Sequence, residues 1–230
     1  KEINSFFTKK KSSEALTGIK VLINAGPTRE AIDPVRFISN YSSGKMGIAL
    51  ADAAADYGAE VILVTGPVNV NPRNSRVKII RITDASEMTD ECISNFPWCN
   101  IAILSAAVAD FTPLKSEKEK LRRGKETLTL TLKPTVDIAA SLGRIKKQSQ
   151  ILVGFALETD DGLKNASDKL QRKNLDLIVL NSLKDEGAGF GHDTNRITII
   201  DKYNNIDKFE LKSKEDAARD ILDKIISMTK

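Results

Sequence analysis

Histidine and cysteine are nearly missing from this chain, with one and two copies in 230 residues. So few imidazoles and thiols leave a Ser/His or Cys/His nucleophile and a structural zinc site poorly supported. The cysteines, Cys92 and Cys99, flank the apolar Phe96 and Trp98 without CxxC spacing, which reads as burial as small hydrophobes. His192, in Gly189-Phe190-Gly191-His192-Asp193, reads as a loop residue with no catalytic part. Also lacking are an apolar run long enough to span a bilayer and a signal peptide with a small-residue cleavage site. The expected compartment is the cytoplasm, with no membrane partner. The net charge is +4, but the basic residues are scattered among acidic ones rather than gathered on an aromatic-studded face, so no nucleic-acid partner is expected. Chemistry here must run on Lys, Asp, Asn and backbone groups.

What is present reads as one sizeable α/β core. Residues 1–17 form a linker, and the lack of an initiator methionine fits a segment cut away before it; residues 18–230 form the domain. Strand Ile19 to Ile23, a helix from about Gly44 to Tyr57 stopped by Gly58, and strand Val61 to Val64 make a βαβ unit. Strands follow at Val77 to Ile82, Ile101 to Leu104, Ile151 to Ala156 and Leu177 to Leu180. Helices are expected at Ala85 to Phe96, capped by Thr83 or Asp84, from Asp137, at Asp160 to Lys173 and at Lys214 to Met228. Thr127 to Leu132 alternates Thr with Leu and predicts a half-exposed strand. Arg196 to Ile200 and Lys208 to Leu211 predict an antiparallel hairpin around KYNN. Lys115 to Lys125, dense in charge, predicts a mobile loop or flap. The fold class is α/β: a doubly wound, mainly parallel Rossmann-like sheet with an additional antiparallel hairpin, whose ligands bind beyond the carboxyl ends of the strands.

Most of the informative motifs lie at such ends. Ala25-Gly26-Pro27-Thr28 and Ser42-Ser43-Gly44-Lys45-Met46-Gly47 join a strand to a helix start, where unpaired N–H groups and the dipole favour a phosphate. This is neither a Walker A loop nor GxGxxG, and packing alone would also explain the glycines. Ser105-Ala106-Ala107-Val108-Ala109-Asp110 lets a ligand approach the backbone, and Asp110 offers a carboxylate to a ribose hydroxyl or a metal ion, or else caps a turn. Lys169 and Lys173, at i and i+4, share a helix face that suits a triphosphate or plain solvent. Phe155 ends a strand, as core or against a nucleobase. Lys120 belongs to the charged flap, over a phosphate or in water.

Together, AGPTRE, DPVRFISNYSSGKMG, AAVAD, GFALET, KNLDLIVLN and GFGHDTN resemble the phosphopantothenoylcysteine synthetase domain of coenzyme A biosynthesis, over Gly18 to Thr229. In most bacteria that domain is the C-terminal half of a bifunctional protein. The resemblance implies a ligase in which the carboxylate of 4′-phosphopantothenate attacks the α-phosphate of CTP, with Mg²⁺, and cysteine then displaces CMP from the acyl-cytidylate. FMN is implied only for a decarboxylase half that this sequence does not include. By position, Asn40 matches the asparagine that holds the acyl-cytidylate for the cysteine step, and Lys120 matches the lysine required for forming the cytidylate. Asp110, Ser105 and Ala106 match nucleotide contacts, and Val136, Asp137, Ile138, Ala139, Phe155, Lys169 and Lys173 match the rest of the CTP site. Gly26, Ser42, Gly44 and Gly47 fall on the phosphate loop. The metal ligands stay unassigned, and a homodimer is implied, with the hairpin strands as candidate contacts. The family flap reads Lys-Ile-Lys-Lys, whereas this chain has Lys120-Leu121-Arg122-Arg123.

Two rivals come from other classes. An NAD(P)-dependent oxidoreductase would suit the opening strand, loop and helix, but strand two ends at Thr65-Gly66 instead of an acidic residue. Tyr41 and Lys45 have Tyr-x-x-x-Lys spacing, yet they fall in the first glycine loop. A non-catalytic nucleotide-binding module is the second rival.

Overall fold

Short runs of Val, Ile and Leu, too short for buried helices, build the centre of the molecule as strands. The computed structural model describes residues 14–124, 127–158, 162–182 and 192–229. In chain order, the first half contains β1 (Lys20–Ala25), β2 (Arg29–Ala31), β3 (Phe37–Ser39), α1 (Lys45–Asp56), β4 (Glu60–Thr65), β5 (Val77–Arg81) and α2 (Ala85–Asn95). Next come β6 (Ile101–Leu104), β7 (Phe111–Pro113), β8 (Leu132–Pro134), α3 (Ile138–Ile145), β9 (Ile151–Glu158) and α4 (Gly162–Arg172). The chain closes with β10 (Leu177–Ser182), β11 (Thr194–Asn195), β12 (Ile197–Asp201), β13 (Ile206–Lys208), β14 (Lys212–Ser213) and α5 (Lys214–Met228).

Eight strands join in the order β13-β12-β10-β9-β6-β1-β4-β5. The six from β10 to β5 are parallel, and β12 and β13 add antiparallel at one edge. The chain leaves β1 toward β4 on one side and later returns to place β6 on the other. That reversal opens a crevice at the carboxyl ends of β1 and β6.

Alternation along each strand sends side chains to opposite faces. Val21 and Ile23 of β1 pack with α1 and α5, including Leu50 and Ile221. Leu22, between them, packs on the other face with Met88 of α2, Leu142 of α3 and Leu170 of α4. Truncating fully buried Leu22 or Leu152 to alanine should cost ~2–5 kcal/mol. Asp84 caps α2 by accepting from the Glu87 N–H at 2.9 Å, while the Glu87 carboxylate accepts from the Thr83 N–H at 2.7 Å. Asp84 is therefore the cap, and Glu87 reaches back one residue beyond it.

Several expectations need correction. Residues 127–131 are exposed and outside any strand; only Leu132–Pro134 pairs, antiparallel to Phe111–Pro113. The Thr/Leu alternation finds no longer partner, because β7 is three residues long and ends in a proline without an N–H. The hairpin is tighter than expected, with Ile200 opposite Ile206. Asp201 closes its KYNN turn by accepting from the N–H groups of Tyr203 and Asn205, both at 2.9 Å, with Asn204 left-handed at φ 62°. The helix expected from Asp160 is described from Gly162, and residues 159–161 lie outside the described residues, as do 183–191. Within the segment read as linker, Leu16 is fully buried and donates its N–H to the Tyr57 carbonyl at 2.8 Å.

Candidate active site

Two cavities meet at the crevice beyond β1, β6 and β9. The larger, about 380 Å³, is lined by Asn24, Asp110, Val136, Asp137, Ile138, Ala139, Lys169 and Lys173 among others. The smaller, about 150 Å³, is lined by Ser42, Gly44, Met46, Gly47, Ser105, Asn181, Asn195 and Lys214. Ala106, Ala107, Phe155, Ala156 and Leu157 border both.

Asn24, at the end of β1 and 2% exposed, ties the crevice together. Its Oδ1 accepts from the Ala106 N–H at 2.9 Å, and its carbonyl accepts from the Ser105 hydroxyl at 2.6 Å. Pro27 and Ala107 form an isolated bridge, with the Ala107 N–H donating to the Gly26 carbonyl at 2.9 Å. Thr28 accepts from the Ala109 N–H at 3.0 Å, and Ser39 donates to the Thr28 carbonyl at 2.7 Å. Asn40 is exposed, and its Nδ2 donates to the carbonyls of Ala107 and Val108 at 3.0 and 3.2 Å. Asn40 therefore lies against the same loop that leads to Asp110.

The amino end of α1 faces the smaller cavity without a side-chain cap, because its N-cap is Gly44 at φ 74°. Its first N–H groups remain suited to an anion. Gly47 lets this end approach the sheet: a Cβ there would fall 2.4 Å from the Ala25 Cβ and 2.6 Å from the Ser105 Oγ. Gly26 lines neither cavity; a Cβ there would meet the Val68 Cγ1 at 2.7 Å, so its part is close packing of the loop.

In the larger cavity Asp137 caps α3, accepting from the Ala140 N–H at 3.0 Å, and pairs with Lys173 at 2.9 Å. Burial works to raise its carboxyl pKa, but the Ala140 N–H and the Lys173 ammonium outweigh it and hold the group below the usual carboxylate range. Lys169 lies one helical turn away on the same wall. Thr135 donates its hydroxyl to Ala109 at 2.6 Å and its N–H to the Asp110 carbonyl at 3.0 Å, fixing the backbone that presents Asp110.

Lys120 is exposed and lines neither cavity. The expected flap is nonetheless attached beside it. Asp33, 3% exposed in the β2–β3 turn, accepts from the N–H groups of Val35 and Arg36, both at 2.8 Å, and from that of Leu121 at 3.1 Å. Arg36 pairs with Asp33 at 3.2 Å and donates to the Leu121 carbonyl at 3.0 Å. Against the opposing effect of burial, the three N–H groups and Arg36 lower the Asp33 pKa.

Of the residues expected at the site, all but Gly26, Asn40 and Lys120 line one of the two cavities. Sequence reasoning missed Asn24, Asn181, Asn195 and Lys214. Asn24 and Asn181 are each the last residue but one of an apolar strand, and a polar residue near a strand's carboxyl end was the available signal. Burial pushes the thiols of Cys92 and Cys99 up to about 12, which keeps them protonated and unreactive.

Residues 16–228 match the model of DFP, the DNA/pantothenate metabolism flavoprotein C-terminal domain. The chain belongs to that family. The resemblance carried by the sequence motifs therefore holds. Among relatives of this DFP domain, the coenzyme A biosynthesis bifunctional protein CoaBC of Bacillus subtilis (strain 168) is 48% identical over 95% of this chain and 54% of its own length. A protein named cysteine/cysteine sulfinic acid decarboxylase, from an unknown prokaryotic organism, is 62% identical over 99% of this chain and 64% of its own. The chain thus spans less than two thirds of either relative. The crystal structure of the C-terminal domain of a CoaBC superimposes with a TM-score of 0.81 at 39% identity, covering 94% of this chain and 98% of that one.

Proposed function

We propose that this domain is a phosphopantothenate–cysteine ligase that uses CTP. The observation that carries the reading is the joined pair of cavities. One has an uncapped helix start suited to phosphates; the other has two lysines one turn apart and the carboxylates Asp110 and Asp137. Phe155, on the wall between them, is placed for a base or sugar.

In the first half-reaction a carboxylate oxygen of 4′-phosphopantothenate forms a bond to the α-phosphorus of CTP, and the bond to the β-phosphate oxygen breaks, releasing pyrophosphate. Lys120, swung from its exposed position, offsets charge on the transferring phosphoryl group. In the second, the cysteine amine bonds to the acyl carbon and CMP leaves with the oxygen it carried. Asn40 donates to the carbonyl oxygen as negative charge develops there, a role worth ~3 kcal/mol in comparable donors. Its two N–H groups are now given to backbone carbonyls, so the amide must release one of them to meet the substrate oxygen.

The donor set fits a Mg²⁺ that arrives with the nucleotide. No group of three or more His, Cys, Asp or Glu suited to a metal exists among the described residues. Asp110, and the unpaired buried Oδ1 of Asn195, each offer one oxygen. A magnesium ion held mainly by phosphates and water needs little more. When bound, it supplies neutralisation of phosphate charge. The domain is proposed to begin at Leu16 rather than at Gly18, to work in the cytoplasm and to form a homodimer. Exposed Phe37, Phe111 and Leu132 on the β2–β3 and β7–β8 ribbons support the dimer, as does exposed Ile206 on the β13 edge.

The 62% identical relative favours a second reading, decarboxylation of cysteine or its sulfinic acid by a longer protein containing this domain. Pyrophosphate release from CTP with 4′-phosphopantothenate, followed by CMP release on adding cysteine, tests the ligase. No pyrophosphate from the folded chain under saturating substrates would refute it.

A further inference from the structure

Lys214, the first residue of α5, is 6% exposed and lines both the smaller cavity and a neighbouring one of about 280 Å³. It is an unfavourable place for an ammonium group. The residue is buried, and it sits at the positive end of a helix dipole, which the first-turn acids Glu215 and Asp216 only partly offset. Lys45 is close by. Burial first, and then Lys45, hold the Lys214 pKa below the usual lysine value, while Asp193 and Glu215 oppose them. Its Nζ donates to the His192 carbonyl. Lys45, at the start of α1, holds the exposed carboxylate of Asp193 at 2.5 Å. Lys214 thus brings a cation to the cavity that the start of α1 already makes positive, while Lys45 lines only the neighbouring one.

A second observation does not depend on charge. Asn195, 1% exposed, lines the same cavity. Its Nδ2 donates to the Asn181 Oδ1 at 3.1 Å, but its own Oδ1 has no hydrogen-bond partner. A buried amide oxygen is normally paired. An acceptor beside a lysine and a helix start suits an anion that brings its own cation and water, as an oligophosphate does.

We infer that Lys214 is a further binding residue for the outer phosphates of the nucleotide, facing the amino end of α1 across the smaller cavity. The inference rests on the nucleotide reading above and adds to it. Lys214 exchanges the His192 carbonyl for phosphate oxygen, and the Asn195 Oδ1 meets the hydrated cation that accompanies the phosphates. A nucleoside monophosphate does not reach this wall.

Calorimetric titration of CTP, CMP and inorganic tripolyphosphate into wild type and Lys214→Met tests it. Loss of one charge-assisted contact predicts CTP and tripolyphosphate binding weaker by about tenfold or more, with CMP unchanged and Lys214→Arg closer to wild type. Equal losses for CTP and CMP, or no loss, would overturn the inference. An active ligase whose Lys214→Met variant binds CTP normally refutes Lys214 alone. A wild type that binds tripolyphosphate through Lys214 yet releases no pyrophosphate from CTP refutes the ligase reading alone.

Discussion

Gly47→Ala asks whether close packing of α1 on β1 is what aims the helix start at its ligand. The new Cβ would sit 2.4 Å from the Ala25 Cβ, where ordinary contact begins near 3.4 Å, so the amino end of α1 must retreat by about 1.0 Å (3.4 − 2.4). The Ala25 Cα at 3.1 Å is backbone and cannot rotate away. Overpacking of this kind costs ~1–3 kcal/mol, against ~0.5–1 gained from alanine's better helix propensity. The net, about 0–2.5 kcal/mol, lowers the melting temperature by at most roughly 10 °C for a chain this size. A displacement near 1 Å at the phosphate cradle should reduce the first half-reaction by about a hundredfold. Ala53→Gly in the middle of α1 is the control, since it weakens the same helix by a comparable amount and leaves its start in place. Thermal melting and CTP-dependent pyrophosphate release read the two effects separately. A Gly47→Ala protein that releases pyrophosphate at the wild-type rate would refute the argument.

Asn40→Asp removes a donor that two carbonyls now share and should leave pyrophosphate release intact, while overall turnover falls ~10²–10³-fold and acyl-cytidylate builds up in a quenched single turnover. Normal product formation would refute its role. Lys120→Gln should block pyrophosphate release itself while circular dichroism stays unchanged; an unaltered first-step rate would return Lys120 to the surface. Asp33→Asn should lower the melting temperature at pH 7, because the folded-state pKa of Asp33 lies below its unfolded value and its stabilisation is fully present above that value. The stabilisation is lost as pH falls through the folded-state pKa, so the gap between wild type and variant should close below about pH 4. A gap that is constant with pH would show that the carboxylate's ionisation is not involved.

The parallel series was legible because most of its strands are apolar runs closed by a small or polar residue, as at Ile101 to Leu104 before Ser105. The α1 loop was legible from its glycines, and Lys169 with Lys173 from helical spacing. What escaped lacks a periodic signal. The β2–β3 and β7–β8 ribbons are three residues a strand and mostly exposed, too short for an alternation to show. Lys214 and Asn195 reach the cavity only because the last helix docks beside α1, and nothing near them in sequence announces that. Thr127 to Leu132 shows the converse, a strand-like pattern of which only the last residue lies in a paired strand.

The Asp33 clasp on Leu121 fixes the scale of any closing motion. Lys120 is one peptide unit from the clasp, so its Cα stays within about 3.8 Å of a pinned neighbour. Any movement of its ammonium must then start from this pivot, and a change that cuts the Asp33 tether should loosen the backbone beside Lys120.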